Sequence, residues 1–346
     1  MSTKIKYRIL FEEIKSQIVS GHYPYGSKLP TEGEISEQYG VSRFTVRSAL
    51  RLLEEQKYIR RIQGSGSYVK YQSYPRMSTM RIAVVVTYIS SYIFPSILRA
   101  IEKTATASGY TISLFATNNS LVAERRIINN LLSSDWDGVI FEGTKTALPC
   151  PNIDLFSEIA DKTPIVFING YPSGLSHKNI CSVTMDDYNG GMKAAKLLME
   201  KGHKKIAGIF KCDDQQGVNR YSGFLDYLIA NCPDFDDTNI IWYNTETKFD
   251  FLSNNSILES ILTSCTGMVC YNDEIATQLA PILLSDLGYS VTSLISFDNA
   301  ISLFIGQDFD FYSLPHPKGV LGEKAVKMLI DMIDGKPTTP CVQDWT

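Results

Sequence analysis

Arg43, Arg47 and Arg51 recur every four residues, while Val46, Ala49, Leu50 and Leu53 mark a different, apolar face of the same stretch. A guanidinium early in such a helix can pair bidentately with the major-groove edge of guanine, a contact worth roughly 1–3 kcal/mol of discrimination. A solvated helix face explains the spacing as well. Arg60 and Arg61 beside Gly64-Ser65-Gly66 favour the first reading, because a glycine-tipped hairpin can bring backbone amides and charge close to phosphates. A second set of residues suits a polyhydroxylated ligand. Arg220, in GVNRYSGF, offers a planar donor fork able to hold two vicinal hydroxyls. Asn272-Asp273 follow the apolar run GMVCY, Asp298-Asn299 follow SLISF, and Tyr92 and Phe94 follow the first apolar run of the body, where they can cover the apolar face of a sugar ring. Singly, each fits a helix cap or turn equally well; their joint placement after apolar runs favours a binding crevice.

These residues need two kinds of scaffold. Residues 5–20 place Ile5, Ile9, Ile14 and Ile18 on one predicted helical stripe, ended by Gly21. Thr31-Glu32-Gly33-Glu34 has capping-box spacing and predicts a short helix to about Tyr39; Ser42 can cap a helix over 43–56. Two β runs around Gln63–Gly66 complete a domain over residues 1–70, and aperiodic residues 71–80 read as a linker. From 81 to 346, near-continuous apolar runs (RIAVVVT, TISLFAT, DGVIFE, PIVFIN, KKIAGIF, GMVCY, SLISFD) alternate with amphipathic stretches such as 187–201 and 219–230. That pattern predicts a doubly wound α/β fold whose parallel sheet is covered on both faces and binds ligand beyond its strand carboxyl ends.

The net charge of −4 is unevenly spread: residues 1–70 carry twelve Lys/Arg against seven Glu, leaving an acidic body. A basic end on an acidic body suggests a nucleic-acid contact confined to that end, although a solvated charge run fits equally. Seven scattered Cys without a C-x-x-C pair argue against a disulfide framework or a zinc site and for a reducing cytosol. The N-terminal residues lack an apolar signal-like core, and no run reaches the length of a membrane span, so a cytoplasmic protein without membrane contact is expected. The sequence holds no G-x-G-x-x-G opening a helix, no Walker-type loop, no H-E-x-x-H and no G-x-S-x-G elbow, which speaks against a Rossmann-type oxidoreductase, a sugar kinase or another enzyme; no cofactor or metal is expected.

The string LPTEGEISEQYGVSRFTVRSALRLLEEQKYIRRIQGSGSYV resembles the GntR-type winged helix-turn-helix over nearly its whole length. The resemblance implies contacts to double-stranded DNA from Arg43, Phe44, Thr45 and Arg47, from Gln63 and Gly64 on the wing, and from Lys6 and Tyr7 on the first helix. It also implies that Glu32, at the cap of the second helix, reaches a cytosine amino group; Gly33 stands where the family often has Arg. Further on, MDDYNGGMKAAKLLMEKGHKKIAGIF, NRYSGF, YNDEIA, FDN and PHPKGVLGEKAVKMLI are similar to the LacI/GalR effector domains, which implies a two-lobed, periplasmic-binding-protein-like body. Arg220, Asn272 and Asp298 would be its polar clamps, with Glu142, Lys145 and Asn169 behind first-lobe strands and His316 on the hinge side (or a purely structural histidine). TYISSYIFPSI, TNN, TKTAL, GIFKCDDQQGVNR and CYNDEIA are similar to arabinose-responsive members, implying L-arabinose as effector. Another pentose, a sugar phosphate or a purine is the alternative, and Glu142 and Asp298 disfavour a strongly anionic one. A homodimer on a palindromic operator, released by sugar, follows from the resemblance. Two departures stand out: GYSVTSLISFDNA lacks the usual V-P-x-D, and the VQDWT end is expected to loosen the second lobe.

Overall fold

The computed structural model describes residues 3–19, 21–71, 78–90, 92–252, 256–285, 288–300 and 310–345, with the side chains of 3–5 and 251 excepted. Most of the expected linker, 72–77, and the side chain of Ile5 thus lie outside the described residues. The chain divides into two compact units, Met1–Ser78 and Thr79–Thr346.

The first unit runs α1 (Thr3–Val19), α2 (Glu32–Gln38), α3 (Arg43–Glu55), β1 (Ile59–Ile62) and β2 (Gly66–Val69). Local chemistry sets its boundaries. The Glu34 amide donates to Thr31 Oγ1 (3.3 Å) and the Thr31 amide to Glu34 Oε2 (2.6 Å), closing the capping box at α2. Ser42 Oγ accepts from the Thr45 amide (3.3 Å) and starts α3. The core joins Leu10, Phe11, Ile14 and Ile18 to Val46, Ala49, Leu50 and Leu53. Ile9 is a correction: it is 60% exposed, because residues 10, 14 and 18 already follow the 3.6-residue period and position 9 falls off that face. β1 and β2 pair antiparallel as a wing.

The second unit holds two sheets, all of whose strand pairs are parallel. In the first lobe β3 (Arg81–Val86), β4 (Thr111–Ala116), β5 (Gly138–Phe141), β6 (Ile165–Ile168), β7 (Ile180–Met185) and β13 (Cys341–Gln343) are arranged in the order β13-β7-β6-β5-β3-β4. They alternate with α4 (Phe94–Ala107), α5 (Leu121–Leu132) and α6 (Ile153–Ala160). The second lobe orders β8 (Ile206–Lys211), β9 (Ile240–Tyr243), β10 (Gly267–Cys270), β11 (Ser293–Asp298) and β12 (Asp310–Pro315) as β12-β11-β10-β8-β9. Its helices are α7 (Asp187–Glu200), α8 (Gln215–Asn231), α9 (Ser256–Ser264) and α10 (Asp273–Leu283). Afterwards α11 (Lys318–Ile333) returns to the first sheet, packing on α4, β5, β6 and β7. The expectation of a two-lobed, parallel α/β body is met, with one sheet in each lobe and with β7, β9, β12 and β13 added to the strands read from the sequence.

Residues 341–345, expected to loosen the second lobe, instead join the first lobe and the hinge. β13 pairs with β7, the Asp186 amide donates to the Gln343 carbonyl (2.8 Å), and Trp345 packs edge-on against Phe297 at 5.1 Å. Among the described residues no helix is long and apolar enough to cross a membrane, and no cluster of His, Cys, Asp and Glu could hold a metal.

Candidate functional sites

In the first unit the candidate DNA-facing side chains stand on the surface. Phe44 is 71% exposed, Arg43 and Arg47 are exposed on the first two turns of α3, and Lys6 is exposed with Tyr7 half-buried on α1. Gln63 and Gly64 form the exposed wing turn, where Gly64 takes φ +77°, a value that favours glycine. Two sequence-derived roles change. Thr45 is 2% exposed, and its hydroxyl is paired with Ser42 Oγ at 3.0 Å, so it braces the helix start from inside. Glu32 is the first helical residue, the cap being Thr31. Its carboxylate accepts from Arg47 Nε (2.7 Å) through Oε2 and from Arg61 Nη2 (2.7 Å) through Oε1. The acid therefore ties α3 to the wing and fixes the direction of two guanidiniums. At Gly33 a side chain would sit 3.6 Å from Arg43 Nη2, so this position leaves Arg43 unobstructed.

In the second unit the site begins with a close helix crossing. A Cβ on Gly191 would lie 1.9 Å from the Arg220 carbonyl oxygen, and one on Gly223 would lie 1.8 Å from that of Tyr188. Only glycine lets α7 and α8 touch backbone to backbone here, and that contact sets Arg220 beside Asp187. Arg220, 1% exposed, donates through Nε to Asp187 Oδ1 (2.8 Å) and through Nη1 to the Tyr271 carbonyl (2.6 Å), among the rings of Tyr271, Phe297 and Trp345. Burial pushes the Asp187 carboxyl up to about 6 against the pull of Arg220, while that carboxylate and Asp298 hold the guanidinium charged. Because α8 starts at Gln215, ahead of the 219–230 stretch read from the sequence, Arg220 lies in its second turn.

Around Arg220 lies a cavity of about 340 Å³ at the carboxyl ends of strands from both lobes. Seven expected residues line it: Tyr92, Phe94, Glu142, Asn169, Arg220, Asn272 and Asp298. Asp298, 3% exposed, has Oδ2 against the Tyr92 hydroxyl, and its Oδ1 has no hydrogen-bond partner among the described residues. Burial is the main cause raising both the Asp298 and Glu142 carboxyls. Glu142 accepts from the Thr87 amide (2.8 Å), the Thr87 hydroxyl (2.6 Å) and Asn169 Nδ2 (2.8 Å). The Asn272 carboxamide oxygen caps α10 by accepting from the Ile275 amide (3.1 Å). Tyr92, Asn169 and Asp298 take φ of +66°, +62° and +95°, and such strained backbone gathers at ligand clamps.

Two expected residues stand elsewhere. Lys145 does not line the cavity; its ammonium pairs with Glu246 of the other lobe. His316 is buried edge-on to Trp345 at 5.4 Å, away from the cavity lining, and burial drives its pKa down to about 3. The sequence reading missed two ion pairs in the wall, Lys211–Asp214 (2.5 Å) and Lys248–Glu274 (2.5 Å). Lys211 and Asp214 follow the KKIAGIF run and were open to the same strand-end argument; Lys248 comes from a loop with no such signal.

Comparison with known proteins agrees with this division. Residues 6–69 match the family described as bacterial regulatory proteins, gntR family, and residues 79–296 match the periplasmic binding proteins and sugar binding domain of LacI family. An arabinose metabolism transcriptional repressor of Halalkalibacterium halodurans is 34% identical over 339 residues, covering 95% of this chain and 89% of that protein. One of the same description from Geobacillus stearothermophilus is 35% identical over 338 residues, covering 95% and 91%. Among solved structures, a periplasmic binding protein/LacI transcriptional regulator from Alkaliphilus metalliredigens, complexed with D-xylulofuranose, superposes with a TM-score of 0.61 at 24% identity, covering 77% of this chain and 96% of that one.

Proposed function

The chain belongs to the transcriptional repressors that join a gntR-type head to a LacI-type sugar-binding body, and we propose that it holds operator DNA as a homodimer and releases it when L-arabinose fills the cavity around Arg220. One observation carries the effector reading. Among the described residues, the three cations lining the cavity are each bonded to a carboxylate, Lys211 to Asp214, Lys248 to Glu274 and Arg220 to Asp187. Glu142 and Asp298 remain as acceptors without a cation bonded to them. Such a wall offers hydroxyl partners and no spare positive charge, which suits a neutral sugar and opposes a sugar phosphate. The two arabinose-repressor relatives supply the choice of pentose.

In this reading Arg43, Arg47 and Phe44 enter the major groove, Gln63 and Gly64 follow the phosphates, and Lys6 and Tyr7 add backbone contacts. Lobe closure on sugar alters the spacing of the two heads in the dimer. A coupling of ~1–3 kcal/mol would weaken operator binding roughly 5–150-fold, and operator would weaken sugar binding by the same factor. The test is calorimetric titration with L-arabinose, D-xylose, D-ribose and D-galactose, with and without operator, on wild type and Asp298→Asn. Arabinose alone should bind, less tightly with operator present and less tightly to the variant. Arabinose affinity indifferent to operator would sink the release mechanism, and silence towards all four sugars would sink the effector.

A further inference from the structure

A second cavity, of about 490 Å³, adjoins the first. Asn169, Gly170 and Gln216 line both, so the two spaces meet at these residues. Asn169 is 4% exposed; its Nδ2 is given to Glu142 in the first cavity, and its Oδ1 has no hydrogen-bond partner among the described residues. A buried carboxamide oxygen without a donor loses hydration that only an incoming hydroxyl or water restores. Asp187 and Arg220 stand at the same junction: Arg220 lines the first cavity, its bonded partner Asp187 the second.

Beyond that junction the chemistry is again that of a polyol site. Ser173, Thr184, Gln215 and Asn219 contribute hydroxyls and carboxamides, with Gln215 Nε2 donating to Asn219 Oδ1 at 2.8 Å. Tyr171, 42% exposed, supplies an aromatic ring at the same cavity, the surface on which the apolar face of a sugar packs. Among the described residues of the lining Asp187 is the one charged side chain, and its Oδ1 is taken by Arg220. With no cation among them, an anionic occupant has nothing to neutralise it.

We propose that the second cavity is a subsite for a further neutral sugar ring, glycosidically linked to the ring held at Arg220. The protein then senses short arabinose-containing saccharides as well as the free pentose. This rests on the first cavity being the sugar site, and the test separates the two claims. The full-length protein is titrated with L-arabinose and with L-arabinobiose, as wild type, Tyr171→Ala and Ser173→Trp. Tyr171 and Ser173 line the second cavity alone, and Ser173 is exposed, so its Trp variant fills the space without entering a core.

Wild type should bind the disaccharide at least as tightly as the monosaccharide. Either substitution should weaken the disaccharide by on the order of tenfold while moving arabinose less than about twofold. Arabinose binding with no disaccharide binding overturns the subsite and leaves the effector reading standing. Disaccharide binding that neither variant weakens, or variants that weaken both ligands equally, likewise overturns it. Absence of binding by both ligands overturns the effector reading and the subsite with it.

Discussion

The head and the body hold their working residues in opposite ways. On the head, Phe44 is 71% exposed and the arginines of α3 reach into solvent, so the candidate DNA-contacting groups are added to a fold that does not depend on them. In the body, Arg220 is 1% and Asp298 3% exposed, and both are part of the packing between lobes. A surface reader can change its contacts with little loss of stability; a buried clamp cannot lose one partner without stranding the other. Glu32 is the intermediate case, an acid on the head surface whose whole carboxylate is used to aim Arg47 and Arg61.

The sharpest way to break this contrast is Arg220→Ala. It leaves Asp187 buried without its cation, and removing one member of a buried pair costs about 3–5 kcal/mol, so a large fall in Tm is expected by calorimetry. A variant with wild-type Tm would place Arg220 with the head residues as dispensable to the fold.

His316 gives the next effect, read as pH dependence. Its unfolded imidazole titrates near 6.5 and its folded one at about 3, so in that window the unfolded chain binds a proton that the folded one refuses. Stability therefore falls as pH drops from 6.5 towards 3, by up to ~1.4 kcal/mol per pH unit from this group. Denaturant melts of His316→Phe should show that slope reduced; an unchanged slope would remove His316 as the cause.

On the head, Arg43→Ala should weaken operator binding by about 1–3 kcal/mol in fluorescence anisotropy while stability in denaturant melts stays within about 0.5 kcal/mol of wild type. An equal loss of stability would erase the distinction between the two regions. The smallest effect tests the head's own scaffold: Thr31→Ala removes the α2 cap and should lower stability by ~1 kcal/mol, measured by urea melts of the head. No change would mean that the packing of Ile35 and the Glu32 ion pairs hold α2 in place without the cap.

Much of this could be read in one dimension. The capping box at Thr31 and Glu34, the Ser42 cap and the apolar face of α3 are short-range patterns, and each gives the element that the sequence predicts. The central strands β3, β5, β6, β8, β10 and β11 are buried from both sides and so read as unbroken apolar runs. Outside that centre, β9, β12 and β13 sit at sheet edges, are part-exposed and carry mixed sequence, and β7 reads Cys-Ser-Val-Thr-Met; burial from one side or small polar residues dilute the pattern.

The sequence by itself determined the starts of α2 and α3, the central strands and the residue types that could contact DNA or sugar, since those follow from neighbours a few residues apart. Tertiary structure alone decided the partners. It turned Lys145 to Glu246 and Glu32 to two arginines, buried Thr45, moved His316 behind the cavity, and brought Lys211 and Lys248 into the wall. The pairings of Lys145, Glu32 and Lys248 depend on residues distant in sequence meeting across the fold, and no local pattern encodes which charge will lie opposite which.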